Sequence, residues 1–261
     1  MRPLRPRRRH PLAALAVLLV GLVVTGGAYA AISAPQGAQA VSAQSFAVDL
    51  GRKLYLQGCS TCHGLSAEGT TDGPTLIGVG AAAVDFQVST GRMPLQSGGV
   101  QAPRKPRAYD ETQVDQLAAY VASLGPGPAI PSAEQLDLSD ANLQEGGELF
   151  RTNCASCHNF VGQGGALTRG KYAPDLAGVS SRTMYEAMLT GPQSMPVFSD
   201  TSLTPEQKRA IIAFVQNVQE EPNPGGFGLG RVGPVSEGLV TWTVGLGLII
   251  AAAVWIAVKP S

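Results

Sequence analysis

Two stretches of this 261-residue chain carry apolar side chains with no polar face. One spans residues 12–24 and extends to 32; the other spans 238–258, 21 residues without a charge. A bilayer core takes ~20 apolar residues as a helix, and a soluble helix of that length shows a polar stripe. The second stretch therefore predicts a transmembrane helix. Elsewhere the pattern is amphipathic. Val114, Leu117, Val121 and Leu124 recur at helical spacing over 110–124, as do Ile211, Phe214, Val215 and Val218 over 204–218. Asp110 and Thr204 are N-cap types, and Pro205 stands at the first helical position, where its missing N–H costs nothing. The segment GPGPAIP (125–131) breaks the first helix and reads as a stiff linker. No convincing strand pattern appears, so the fold class read from the chain is all-α.

The helical pattern occurs twice because the sequence does. GCSTCHG at 58–64 returns 95 residues later as NCASCHN at 153–159, with GRKLY before the first and GGELF before the second. Downstream, PTLIGV (74–79) matches PDLAGV (174–179), and Met93-Pro94 matches Met195-Pro196. Each copy then closes on its amphipathic helix. The copies differ in their loops: the second has five extra residues between its motif and Pro174, and the first has a longer basic loop, QSGGVQAPRKPRA, at 96–108. That loop reads either as a solvated excursion or as a contact surface for a neighbouring acidic subunit.

Charge orients the chain. Arg2, Arg5, Arg7, Arg8 and Arg9 precede the first apolar stretch, which is either a removed signal peptide, with Ala28-Tyr29-Ala30 as a small-x-small cleavage site, or an uncleaved anchor. Basic flanks stay cytoplasmic, so both ends are expected inside and the bulk outside. Without those arginines and Lys259, 13 basic residues face 19 acidic ones. An acidic exported portion argues against nucleic acid as a partner.

The four cysteines and two of the three histidines all belong to Cys59-Ser60-Thr61-Cys62-His63 and Cys154-Ala155-Ser156-Cys157-His158. Cys-x-x-Cys-His is the attachment signature of c-type haem: two thiols one turn apart add to the two vinyl groups of a porphyrin, and the next residue offers imidazole to the iron. A shared zinc site would need both cysteine pairs together, yet each lies in its own repeat. A disulfide framework does not explain a histidine adjoining each pair. The βαβ context of a thioredoxin-like motif is absent from the pattern. The expectation is two covalent haems c, on Cys59 and Cys62 and on Cys154 and Cys157, with His63 and His158 as axial ligands. The remaining histidine, His10, lies in the arginine cluster, so the opposite ligand is sought among methionines. Met93 and Met195 hold matching places in the repeat; Met184 and Met188, one turn apart, read as core. Histidine/methionine ligation fills both axial sites and favours electron transfer over oxygen chemistry. A dihaem peroxidase would need a displaceable ligand, and no catalytic residue is expected in the chain.

Each copy resembles a class I cytochrome c domain. The resemblance implies an aromatic contact between first and last helix, Tyr55 with Tyr120 and Phe150 with Phe214. It also implies a proline carbonyl, of Pro74 and Pro174, accepting a hydrogen bond from the ligand histidine. The whole order resembles the dihaem cytochrome c subunit of the actinobacterial cytochrome bc complex: basic N-terminus and signal anchor or transmembrane helix (1–32), domains at 45–125 and 141–220, linker 126–140, Gly/Pro-rich connector 221–237 and transmembrane helix 238–258. That family implies a subunit of a quinol–cytochrome-c reductase, beside cytochrome b. It accepts electrons from the Rieske iron–sulfur protein and passes them to an aa-type cytochrome c oxidase in a supercomplex. The alternative is a dihaem electron-transfer subunit of another membrane oxidase or dehydrogenase complex. The expected place is the cell membrane, with two helices across it and the haem domains on the extracytoplasmic side.

Overall fold

The computed structural model describes residues 11–220 and 234–258. The arginine cluster, His10, most of the 221–237 connector and Lys259 lie outside the described residues. The chain opens with α1 (Pro11–Gly58), one 48-residue helix that carries the apolar stretch Leu12–Ile32 and continues into the first repeat. It ends with α10 (Pro234–Val240), a π-helical turn Thr241–Leu246 and α11 (Gly247–Ala257), which together hold the second apolar stretch, Ser236–Ala257. Neither stretch is buried against the protein. Apolar surface of this extent and length is what a bilayer covers, so this is a membrane protein in which both stretches are candidate membrane spans.

Between them stand two small helical domains. The first uses the end of α1, then α2 (Ser60–His63), α3 (Ala81–Ser89) and α4 (Glu111–Ala122). The second uses α5 (Ala133–Leu136), α6 (Leu143–Asn153), α7 (Ala155–His158), α8 (Ser181–Thr190) and α9 (Pro205–Glu220). The cap residues work as their types require. The Asp110 side chain accepts from the Gln113 N–H at 2.9 Å, while the Gln113 side chain accepts from the Asp110 N–H at 3.0 Å. Thr204 and Gln207 make the same reciprocal pair at 3.3 and 3.1 Å, closing the start of α9.

In each domain the first long helix crosses the last at a glycine. Gly51 lies against the carbonyl of Gln116 and Gly146 against that of Ala210, with no room for a side chain. One turn on, Tyr55 meets Tyr120 at 5.2 Å between ring centroids, and Phe150 meets Phe214 at 5.6 Å, both tilted. Val114, Leu117 and Val121 fill the first core; Ile211, Ile212 and Val215 fill the second, joined by Met184 and Met188. Met184 and Met188 are thus core residues.

The extra residues of the second copy form a small hairpin. β1 (Gly165–Ala166) pairs antiparallel with β2 (Tyr172–Ala173) across a turn of 3-10 helix, Thr168–Gly170. Two-residue strands are too short to alternate visibly, which is why the pattern shows none. The linker is tied down at both ends. The Pro128 carbonyl accepts from the Ala82 N–H at 3.1 Å in the first domain, while Leu136 and Leu138 join the second core.

One buried charge holds the second domain's last loop. Lys208 is fully buried, and its Nζ donates to Asp200 Oδ1 at 2.6 Å and to the Leu203 carbonyl at 2.7 Å, 5.7 Å from the Tyr185 ring centre. Asp200→Ala strands that ammonium and is expected to cost ~1.5–3 kcal/mol. This is less than for a wholly buried pair because the aspartate is half exposed. Thermal melting of the full chain checks it, and Lys208→Met on the same background should recover stability.

Candidate haem centres

The two motifs are built by the same backbone. In the first, the Cys59 N–H bonds to the Tyr55 carbonyl at 2.8 Å, and the Cys62 and His63 N–H groups return to the Cys59 carbonyl at 3.2 and 3.0 Å. In the second, Cys154 bonds to Phe150 at 2.8 Å, and Cys157 and His158 return to Cys154 at 3.1 and 2.9 Å. Both turns stop at a left-handed residue, Gly64 or Asn159. The chain then folds back identically: Gly69 to the His63 carbonyl at 2.8 Å and Gly164 to that of His158 at 2.9 Å, then Leu76 to Ala67 at 2.8 Å and Leu176 to Gly162 at 2.7 Å. Sequence repetition thus becomes repetition of hydrogen bonds, on both sides of the inserted hairpin.

Each fold-back fixes a histidine ring. His63 Nδ1 lies 2.7 Å from the Pro74 carbonyl, and His158 Nδ1 lies 3.1 Å from that of Pro174. A carbonyl only accepts, so Nδ1 carries the proton and the Nε2 lone pair is left to ligate. Beside the first ring, a Cβ on Gly73 would fall 3.1 Å from His63 Cε1 and 2.7 Å from the Cys62 carbonyl oxygen, so only glycine admits the approach. Burial pulls the His158 pKa down against the opposing hydrogen bond to Pro174, which keeps the imidazole in its neutral, metal-binding form.

Cys59 and Cys154 lack the activation that redox exchange needs. Burial, reinforced by the neighbouring Cys62 and Cys157, pushes Cys59 and Cys154 each up to about 11. A thioredoxin-like thiol needs the opposite shift. All four cysteines are free, and among the described residues no three His, Cys, Asp or Glu side chains converge on one point as a zinc site would require.

Cys154, Cys157, His158 and Met195 line one cavity of about 230 Å³, walled by apolar side chains such as Leu176, Met184, Phe198 and Ile212. Two free thiols, an imidazole and a methionine sulfur around an apolar cavity suit a flat, largely apolar macrocycle, so these residues fit a c-type haem. In the first domain Cys59 and Met93 pack against one core cluster. The second cavity also has walls that sequence reasoning missed: Phe86, Thr90, Arg92, Gln101 and Arg104, all from the first domain. The basic loop 96–108 is therefore neither a free excursion nor an outward face over its whole length. Gln101 makes two bonds to the Tyr172 main chain at 2.8 and 2.9 Å, and the Ala102 N–H donates to Gln193 Oε1 at 3.3 Å. Beside it, α3 packs on α8, with Arg182 Nε 2.7 Å from Asp85 Oδ2 and 3.3 Å from Glu186 Oε1.

A family model described as cytochrome c matches residues 48–125, and one described as cytochrome c oxidase, cbb3-type, subunit III matches residues 141–215. The chain is 46% identical over 262 residues to the cytochrome bc1 complex cytochrome c subunit of Mycobacterium tuberculosis, covering 98% of this chain and 94% of that one. It is 45% identical over 270 residues to the same subunit of Corynebacterium efficiens, with 97% and 90% covered. A cbb3-type cytochrome c oxidase subunit FixP of Sinorhizobium medicae aligns at 30% over 143 residues, 51% of this chain and 45% of that one. The shorter match takes in half of this chain, whereas the longer alignments cover nearly all of it, both repeats and both apolar helices included, and by them the chain belongs to the family of cytochrome c subunits of the cytochrome bc1 complex.

Proposed function

We propose that the chain is the membrane-anchored dihaem electron carrier of its complex, taking electrons from the Rieske iron–sulfur subunit beside cytochrome b and passing them towards an aa-type cytochrome c oxidase. The observation that carries this reading is the single cavity lined by Cys154, Cys157, His158 and Met195, together with the repeat of its backbone and histidine geometry around Cys59, Cys62 and His63. Cys59 and Cys62, and Cys154 and Cys157, would hold a macrocycle each. His63 with Met93, and His158 with Met195, would close the two axial positions.

Haem c held by these residues would supply reversible one-electron transfer. The protein's own part is placement. The Pro74 and Pro174 carbonyls orient the imidazoles, apolar walls exclude water, and the seam between α3 and α8 fixes one domain against the other. Arg92 and Met93 are consecutive, so one dipeptide reaches the second cavity and packs against the first core. Anchoring at both ends replaces diffusion by a high local concentration near donor and acceptor. The positive-inside rule puts both domains on the extracytoplasmic side. In this reading the chain's part in the reductase is conduction.

In a host able to attach haem, the intact mass of the full chain should show two added macrocycles, and Cys154→Ser with Cys157→Ser should show one. Met93→Ala and Met195→Ala should each turn about half of the low-spin haem high-spin. One macrocycle in the unaltered chain defeats the count, and two unchanged low-spin spectra defeat the methionine assignment. The partner assignment fails if the Rieske and cytochrome b subunits do not co-purify from native membranes. The second domain's match to a cbb3-oxidase subunit favours a carrier of another oxidase as the second reading; co-purification with an oxidase alone would select it.

A further inference from the structure

A buried cation in the domain seam has no counter-charge. Arg92 is 9% exposed, and its guanidinium stacks 4.8 Å from the Phe86 ring centre. It belongs to the first domain but lines the second domain's cavity, as does the more exposed Arg104. Among the described residues neither guanidinium has a carboxylate at ion-pair distance. The acids nearby are engaged: Asp85 and Glu186 with Arg182, and Asp175 on the cavity wall with the Ala177 N–H at 2.8 Å. A buried charge without a partner costs several kcal/mol. A fold that keeps one at a cavity wall implies that its anion arrives with the occupant.

The arginines are also held in place. Lys105 Nζ donates to the carbonyls of Gly91, of Arg92 at 3.0 Å and of Pro94 at 2.8 Å, stapling the basic loop to the Arg92 segment. The paired bonds of Gln101 to Tyr172 then fasten that loop to the second domain. A c-type haem carries two propionate carboxylates, and a guanidinium is the side chain whose fork matches a carboxylate.

We propose that Arg92 and Arg104 of the first domain bind the propionates of the second domain's haem, so that one domain completes the cofactor site of the other. This rests on the reading of the second domain as a haem domain given above. Reduction removes one positive charge from the iron, so two cations held against the propionates favour the reduced state of that haem and raise its potential. The domains are then coupled chemically as well as mechanically, since separating them strips the second haem of its counter-charge.

A redox titration of the full chain, followed by its optical spectrum, resolves two one-electron components, and the one displaced by Met195→His is the second haem. Arg92→Gln is expected to shift the oxidised-to-reduced ratio of that component about tenfold towards oxidised, ~59 mV for one electron. Arg104→Gln should shift it in the same direction by less, and Arg92→Lys should restore most of the loss. Arg104→Gln, which does not adjoin an axial ligand, should leave the other component in place. If the second component stays put in both glutamine variants while the mass shows two macrocycles, the inference is overturned and the dihaem reading stands. A mass with no second macrocycle overturns both.

Discussion

Gly146→Val should unfold the second domain's helix crossing while leaving the first domain intact. The glycine sits where α6 passes over α9, and any Cβ there would fall inside the van der Waals envelope of the Ala210 carbonyl, with Phe214 Cβ also at 3.1 Å. Backbone lies on both sides, so the clash is relieved only by parting the helices. That would break the Phe150–Phe214 contact and open the core around Ile211 and Val215. Overpacking a core costs ~1–3 kcal/mol when side chains can yield; here none can, and the loss should reach or exceed the top of that range. The neighbouring residue supplies the control. A Cβ on Gly147 meets only ring atoms of Phe214, at 3.0 and 3.1 Å, and the Arg151 side chain at 3.2 Å. Gly147→Ala should therefore be mild, its strain offset by the ~1 kcal/mol that alanine gains over glycine inside a helix. Thermal unfolding of the full chain, read at the haem absorbance, should show a split or lowered transition for Gly146→Val alone. Gly51→Val should reproduce the effect in the first domain, where Gln116 plays the part of Ala210.

That crossing was legible in the sequence because it is written twice. The glycine, the aromatic four residues on, and the haem motif beyond it keep a spacing of 95 residues between copies, and the closing helices they cross, over 110–124 and 204–218, show one apolar face each. The caps at Asp110 and Thr204 were legible for the same reason, since cap chemistry is local. The helix α3 was not. Its sequence AAAVDFQVS has no polar face and encloses an acid, because α4 covers one side and α8 of the other domain covers part of the rest. A helix buried on two sides loses the period that reveals it. The basic loop 96–108 was misleading in another way. Its composition reports solvation, whereas its anchoring uses Gln101 against main-chain atoms of Tyr172, a contact that leaves no complementary side chain to find. The residues proposed to hold haem were therefore readable one domain at a time, and what the sequence could not give was the reach of one domain into the other's cavity.

The seam itself should weaken as pH rises, and Glu186→Gln should abolish the effect. Glu186 is fully buried in α8 and faces Asp85 of α3, which is 5% exposed. Arg182 stands close to both, but nearer to Asp85, at 2.7 Å against 3.3 Å. One guanidinium does not support two buried carboxylates in contact. Burial first, and then the hydrogen bond and charge of Asp85, push the Glu186 pKa from 4.5 up to about 9. The carboxyl therefore keeps its proton at neutral pH. Its Oε1 faces Arg182, while its Oε2 is buried without a hydrogen-bond partner, an arrangement that burial makes costly for a charged carboxylate. When the seam opens, Glu186 meets water and titrates near 4.5, so between about 4.5 and about 9 the closed state binds more protons than the open one. Stability then falls with rising pH across that window. The slope has an upper bound of ~1.4 kcal/mol per pH unit, which for domains of this size is roughly 6–11 °C in melting temperature. Below pH 4.5 the contribution is fully present; above about 9 it is gone. Melting curves of the detergent-solubilised full chain at pH 5, 7 and 9 should show the decline, and in Glu186→Gln, whose amide can still donate to Asp85, the three curves should draw together. A chain that melts at the same temperature throughout, or becomes more stable towards pH 9, would mean that Glu186 is ionised in the closed seam and that Arg182 holds both acids as charges.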